Sequence, residues 1–169
     1  RPHFPEDWEA VLHGIGEEAV VRNLARAPWP YRPEDAQSFA NLPQDGYSPR
    51  FAITLRNVVD APLIGCIGID LTDGQVELGY WIARQHWGRG YATEAGRGAI
   101  EIASTLGYKA LVASHFLDNP ASGKVLLKLG FRPTGRIVNR HSCGRGEEAP
   151  TAEYSLDLSE QSADWQSAA

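Results

Sequence analysis

Gln85-His86-Trp87-Gly88-Arg89-Gly90-Tyr91-Ala92-Thr93 is the stretch that decides how this chain folds. It separates a strand-like apolar run, Val76 to Ala83, from a helix-like run, Tyr91 to Leu106. Two glycines one residue apart, where a strand becomes a helix, gather several backbone N–H groups into one concave turn. The first turn of a helix has unpaired donors and a partial positive charge, so such a turn suits phosphate oxygens. A nucleotide-like cofactor is therefore the expected occupant. The stretch is neither a Walker loop nor a dinucleotide fingerprint: it has no Gly-Lys-Ser/Thr and no third glycine at the required offset.

Working outward, Leu63 to Leu71 and Gln75 to Ala83 read as strands, with Asp73-Gly74 as the hairpin signal between them. Before them, Phe51 to Arg56 alternates, with Phe51, Ile53 and Leu55 on one face, and a turn follows at Val59-Asp60-Ala61-Pro62. These three strands form an antiparallel meander. Downstream, Ala92, Ala95, Ala99, Ile102, Ala103 and Leu106 make a helical stripe that ends at Gly107. Gly96 and Gly98 are costly inside a helix, which predicts close packing of that helix on the sheet. Ala110 to Phe116 is the next strand, and the helical crossover makes it parallel to the Val76 run. Asn119 and Pro120 then start a helix that Gly130 stops, and Phe131 to Val138 and Thr151 to Leu158 are the last strands. A polar, glycine-bearing loop joins them.

The N-terminal part is helical and proline-broken. Glu6 to His13 and Glu17 to Arg26 read as two short helices, with Trp8, Val11 and Leu12 on one face of the first and Val20, Val21 and Leu24 on one face of the second. Ala27-Pro28-Trp29-Pro30-Tyr31 is a loop, and Pro33-Glu34-Asp35 opens a third helix through Leu42. Residues 1–169 make one domain, with 1–16 and 159–169 peripheral and the tail from Ser159 frayed. No repeat or low-complexity tract interrupts it.

The bulk properties exclude several function classes. The hydrophobic fraction of 43% and charged fraction of 22% are those of an ordinary globule. A net charge of −5 argues against a nucleic-acid binder. No apolar run approaches ~20 residues, so no membrane span is expected. Cys66 and Cys143 form neither a disulfide framework nor a metal-ligand spacing, Cys66 reads as a core residue, and no metal is expected. No signal peptide is visible in a chain that does not open on Met, and a reducing, cytoplasmic setting is the default.

Three blocks together are more specific than the glycine turn alone. Glu77-Leu-Gly-Tyr-Trp-Ile-Ala83, Gln85-His-Trp-Gly-Arg-Gly-Tyr-Ala-Thr-Glu-Ala95 and Asn119-Pro-Ala-Ser-Gly-Lys-Val-Leu-Leu-Lys-Leu-Gly-Phe131 resemble the GNAT superfamily of acyl-CoA-dependent N-acetyltransferases. With Ala27-Pro-Trp-Pro-Tyr-Arg-Pro-Glu-Asp-Ala36, the resemblance is to its ribosomal-protein N-terminal acetyltransferase branch and runs from about residue 17 to 158.

That resemblance implies an α/β (α+β) fold: a mixed, twisted sheet of about six to seven strands with flanking helices, whose Val76 and Ala110 strands splay apart. Acetyl-CoA is the implied cosubstrate, and it fits in the V. Its pantetheine arm pairs with the backbone of Trp81, Ile82 and Ala83, much as an added strand would. Its pyrophosphate lies in the turn, held by Gln85, Gly88, Arg89, Gly90, Tyr91, Ala92 and Thr93. Asn119 has two readings, a helix cap and a side-chain bond to pantetheine. Trp29 and Tyr31 read as core with Phe39, or as a wall of the acceptor pocket.

An amine attacks a thioester only when neutral. An α-amino group near ~7.8 is neutral in roughly one molecule in seven at pH 7, and a lysine near ~10.4 in roughly one in 2,500. A protein N-terminus is thus the easier acceptor, with a small amine such as an antibiotic, polyamine or amino acid as the rival. Glu77 stands where several relatives carry a glutamate base, and a solvent-facing strand residue is the plainer reading. A backbone N–H of Tyr80 to Ile82 could meet the oxyanion. The family's usual acid, a tyrosine, is Leu126 here, so Ser122 is the substitute donor to the leaving thiolate. The missing tyrosine also keeps open a non-catalytic acyl-CoA sensor. His86 reads as solvent-facing and His115 as packed, and nothing supports a Ser-His-Asp assembly. The oligomeric state is open, a homodimer included.

Overall fold

Alternating apolar residues build the first half of the sheet, and the hydrogen-bond register shows how. The computed structural model describes residues 1–43, 45–56, 59–72 and 74–159. Strands β1 (Arg50–Thr54), β2 (Leu63–Thr72) and β3 (Gln75–Ile82) form the expected antiparallel meander. Gly74 turns the second hairpin at φ 76°, while Asp73, the other half of that signal, lies outside the described residues. β1 ends at Thr54, just past a register slip between Ile53 and Thr54 and short of the expected Arg56.

Helix α4 (Tyr91–Thr105) carries the chain over to β4 (Ala110–Phe116), which runs parallel to β3. Gly107, at φ 86°, ends the crossover as its sequence position predicts. Helix α5 (Pro120–Lys128) follows, then β5 (Arg132–Ser142) and β6 (Glu147–Asp157). The strand order is β1-β2-β3-β4-β6-β5, a six-stranded mixed sheet among the described residues. The tail beyond Ser159 lies outside them.

Strand alternation sends side chains to two cores. Ile67, Ile69, Leu78, Leu111 and Ala113 meet α4 and α5 through Ala99, Ile100, Ala103 and Leu126, with Phe131 joining them from just past α5. Cys66, Trp81 and Ala83 point the other way. They meet α1 (Trp8–Ile15), α2 (Glu18–Val21) and α3 (Pro33–Ala40) through Val11, Ile15, Val20, Val21 and Ala36. Burial pushes the Cys66 thiol up to about 12, as suits an inert core residue.

Four expectations are corrected. Glu17 to Arg26 is not one helix, because residues 22–25 turn away to serve the β5–β6 hairpin. Arg145 Nε, Ser142 Oγ and the Cys143 N–H donate to the carbonyls of Arg22, Leu24 and Ala25 at 2.7, 2.8 and 2.8 Å. The first helix begins at Trp8, after a short 3₁₀ turn over Pro5–Asp7, and runs to Ile15. The last two strands are longer than their apolar cores, pairing as far as Ser142↔Glu147; this ladder is largely exposed, so no hydrophobic alternation marks it. The two helical glycines differ from each other. A Cβ on Gly96 would meet Leu129 at 2.5 Å, at the end of α5 rather than on the sheet, and one on Gly98 would meet nothing within 4 Å.

Arg145 clamps the hairpin tip. Arg145 donates twice to Asp118, at 2.9 and 2.8 Å, and lies 4.5 Å over the Phe116 ring. Arg145→Ala should cost about 2 kcal/mol, a loss of ~4–8 °C in melting temperature by thermal denaturation. These guanidinium hydrogen bonds hold the Asp118 carboxyl below the usual range. A lowered folded value means the stabilisation is present above the unfolded value of ~3.9 and is lost as pH falls through the folded one. The gap between variant and native should accordingly be full at neutral pH and narrow in acid.

Candidate active site

The turn that opens α4 is built as its glycines dictate. Arg84–His86 is a 3₁₀ turn, and Gly88 and Gly90 follow at φ 73° and 85°, left-handed values that side-chain-bearing residues rarely adopt. Gly90 is the cap of α4, and no side chain closes its first turn. The backbone donors at the start of α4, Tyr91, Ala92 and Thr93, thus stand at a helix end with only its dipole behind them. A Cβ on Gly88 or Gly90 would meet nothing within 4 Å, and both residues are exposed, so the turn is uncovered there. Arg89 beside it is exposed and makes no ion pair among the described residues. Such a cradle of backbone donors with a cation at its rim suits an anion, and Gln85 is exposed next to it.

The cradle stands at the mouth of a gap in the sheet. Among the described residues β3 and β4 share one bridge, Glu77↔Val112. Beyond it β4 turns wholly to β6, pairing from Ala110↔Asp157 to Phe116↔Thr151. The last residues of β3 therefore lie along the gap with no β4 partner. Which backbone groups face it follows from one bond. The Ala83 N–H donates to Ile64 at 2.8 Å, so Ala83 and, by strand alternation, Trp81 turn their backbone to β2. Of the three residues expected to pair with a ligand, Ile82 alone faces the gap, together with Tyr80. The Ile82 carbonyl accepts the Trp87 indole N–H at 2.6 Å, which ties the cradle to the strand.

The two faces of β3 carry different chemistry. On the face of the N-terminal helices, Glu77 accepts from Arg140 Nη1 at 3.0 Å and from Ser114 Oγ at 3.2 Å, both on Oε1. Arg140 also reaches Glu153 at 3.4 Å, and Arg136 pairs with the same carboxylate at 3.2 Å. Glu77 is thus fixed at the root of the gap, with its second oxygen unengaged among the described residues. Gly79, next on this face, is exposed, and a Cβ there would meet nothing within 4 Å, leaving room in front of the strand.

On the opposite face the Tyr80 hydroxyl lies 2.8 Å from Ser122 Oγ, joining β3 to α5. Burial pushes the Tyr80 phenol up to about 12. Asn119 caps α5, its side-chain oxygen accepting from the Ser122 N–H at 3.4 Å, and its NH₂ has no partner among the described residues. Leu126, where relatives carry tyrosine, is 1% exposed inside the core and presents nothing to the gap.

The remaining candidates separate. Tyr31 and Phe39 pack against the N-terminal core, and burial pushes the Tyr31 phenol up to about 12, but Trp29 is 41% exposed. His115 packs as expected, bonding the Phe116 carbonyl at 2.8 Å and the Tyr154 hydroxyl at 3.2 Å. His86 is not simply solvent-facing. Its ring stands edge-on to Tyr91, its buried Nδ1 has no partner among the described residues, and burial and Arg89 hold its pKa below the ordinary value. Arg140, Ser114 and the Tyr80 hydroxyl escaped the sequence reading. Arg140 lies far along the chain from Glu77, and Tyr80 reads as an ordinary strand residue. Alternation does place Tyr80 on the face opposite Glu77, which is the one signal that could have found it.

Residues 1–132 match the family model described as the acetyltransferase (GNAT) domain. The Bacillus subtilis (strain 168) protein described as uncharacterized N-acetyltransferase YoaA is 33% identical over 124 residues, 71% of this chain and 68% of that one. Two solved structures share the fold at lower identity. An acetyltransferase (GNAT family) from Bacillus anthracis gives a TM-score of 0.78 at 21% identity, over 93% of this chain and 92% of that one. The microcin C7 self-immunity acetyltransferase MccE, in complex with acetyl-CoA and AMP, gives 0.74 at 19%, over 92% and 89%. With the open amide turn, the diverging strands and a glutamate at their root, these matches establish that the chain belongs to the GNAT acetyltransferase domain family and is an acyltransferase.

Proposed function

We propose that this chain, acting as one catalytic domain over residues 1–169, moves the acetyl group of acetyl-CoA to the α-amino group of a protein or peptide. The observation that carries the reading is the single Glu77↔Val112 bridge, which opens the sheet at the carboxylate suited to act as base. MccE, with the same fold, is described in complex with acetyl-CoA, and the open cradle here suits the same diphosphate. Gly88 to Thr93 would hold that diphosphate with Arg89 at its rim, and Gln85 lies alongside. Ile82 and Tyr80 offer the main chain to pantetheine, and the Asn119 amide offers a further donor.

The acceptor enters from the Glu77 face, across the bare Gly79. Glu77 takes its proton through water, and a β3 backbone N–H meets the oxyanion. Ser122 donates to the departing sulfur from the other face. Tyr31 and the exposed Trp29 belong to the segment proposed to wall the acceptor's approach. The front segment and the neutral fraction of an α-amine favour the ribosomal-protein N-terminal branch and a cytoplasmic setting.

Thiol release against peptides of varied first residue, N-blocked peptides with a free lysine, and small amines tests the acceptor. Free N-termini should be turned over at least about tenfold faster than the blocked peptides, given their larger neutral fraction. A small amine surpassing every peptide would overturn the peptide acceptor.

A further inference from the structure

We infer that Tyr80 is a positioning residue that orients the Ser122 hydroxyl toward the leaving sulfur, in place of the α5 tyrosine that this chain lacks. This rests on the acetyl-transfer reading above and concerns the step in which the thioester C–S bond breaks.

The geometry leaves few alternatives for two hydroxyl protons. Tyr80 Oη and Ser122 Oγ are 2.8 Å apart, and either can be the donor. The other acceptor in reach of the phenol, the Ser122 carbonyl, is at 3.4 Å. A phenol is a far stronger acid than an aliphatic alcohol, so Tyr80 donates and Ser122 accepts. The Ser122 proton then has no acceptor among the described residues. It remains as an unused donor on a half-buried serine at the side of the gap, and its rotation is restricted by the bond that Oγ already accepts.

Asn119 fixes the backbone behind this pair by accepting from the Ser122 N–H. Glu77 and Tyr80 project from opposite faces of β3, so the amine and the departing sulfur are served from different sides. Leu126, buried in the core, offers no competing donor.

In the step itself the tetrahedral carbon re-forms its C=O bond and the C–S electron pair leaves on sulfur as thiolate. The amide keeps the new C–N bond, and the amine's surplus proton passes to Glu77 and on to solvent. The Ser122 O–H donates a hydrogen bond to the thiolate, polarised by the Tyr80 O–H behind it, and the thiolate takes its proton from solvent. No proton need leave Tyr80, whose phenol at about 12 holds it throughout.

The test uses the whole chain and the variants Tyr80→Phe, Ser122→Ala and the double variant. Tyr80→Phe should lower kcat about tenfold, the value of one hydrogen bond to a charged group, with the acetyl-CoA KM within twofold. In the Ser122→Ala background the same change should have no further effect. A readout without turnover is the ionisation of CoA thiol bound to the protein, followed by thiolate ultraviolet absorbance. Donors favour the thiolate, so its midpoint should rise by about one pH unit in both single variants.

Native kcat in Tyr80→Phe, additive losses in the double variant or an unmoved thiol midpoint would each overturn the inference. A native chain that releases no thiol with any acceptor would instead sink the acetyl-transfer reading on which it rests. Melting temperatures within about 2 °C of native show that each variant is folded.

Discussion

Glu77→Gln is expected to lower kcat about a hundredfold while acetyl-CoA binding stays within twofold, because the carboxylate lies on the face proposed for the acceptor and away from the glycine turn. The amide is nearly isosteric and can still accept from Arg140 and Ser114, so the strands and the gap should hold. The proton acceptor is what disappears. Only amine that arrives neutral can then react, so the acid limb of kcat/KM should move to higher pH, toward the acceptor's own value of ~7.8 for an α-amine. Steady-state kinetics across pH decide the matter. An unchanged kcat with an unchanged profile would return Glu77 to a structural role as Arg140's partner.

The second large effect belongs to the cradle. Gly90→Val should raise the acetyl-CoA dissociation constant at least about tenfold, or ~1.4 kcal/mol. Gly90 sits at φ 85°, where a β-branched residue is strained by about 1–3 kcal/mol. Relief of that strain would swing the peptide planes that aim the first N–H groups of α4. A Cβ there has nothing within 4 Å, so the damage should stay local. Calorimetry should therefore show weak binding by a chain whose melting temperature falls only a few degrees. Native affinity would mean that the diphosphate is held elsewhere.

These contrasts show what the residues made legible. The meander, the crossover, α4, α5 and the parallel β3–β4 pair follow from local signals: periods of two and 3.6, an Asn-Pro start, glycines at Gly107 and Gly130. The turn before α4 is legible for the same reason, since two left-handed glycines before a helix constrain the backbone regardless of tertiary context. What stayed hidden depends on partners remote in sequence. Arg140 meets Glu77 only because β6 pairs with β4 and carries β5 on its far edge. The segment after α2 unwinds because Arg145, Ser142 and the Cys143 N–H claim its carbonyls. The extra length of β5 and β6 is exposed ladder, held by backbone bonds that leave no hydrophobic pattern. The turn of Trp81 and Ala83 toward β2 depends on register, which no single strand records.

A crystal structure of this chain with acetyl-CoA would show where coenzyme A lies. Diphosphate oxygens are expected within hydrogen-bond distance of N–H groups between Gly88 and Thr93. Pantetheine is expected along Tyr80 and Ile82, with the sulfur beside Ser122 Oγ. Ligand bound on another surface, or a gap between β3 and β4 left closed and empty at saturating concentration, would overturn that placement.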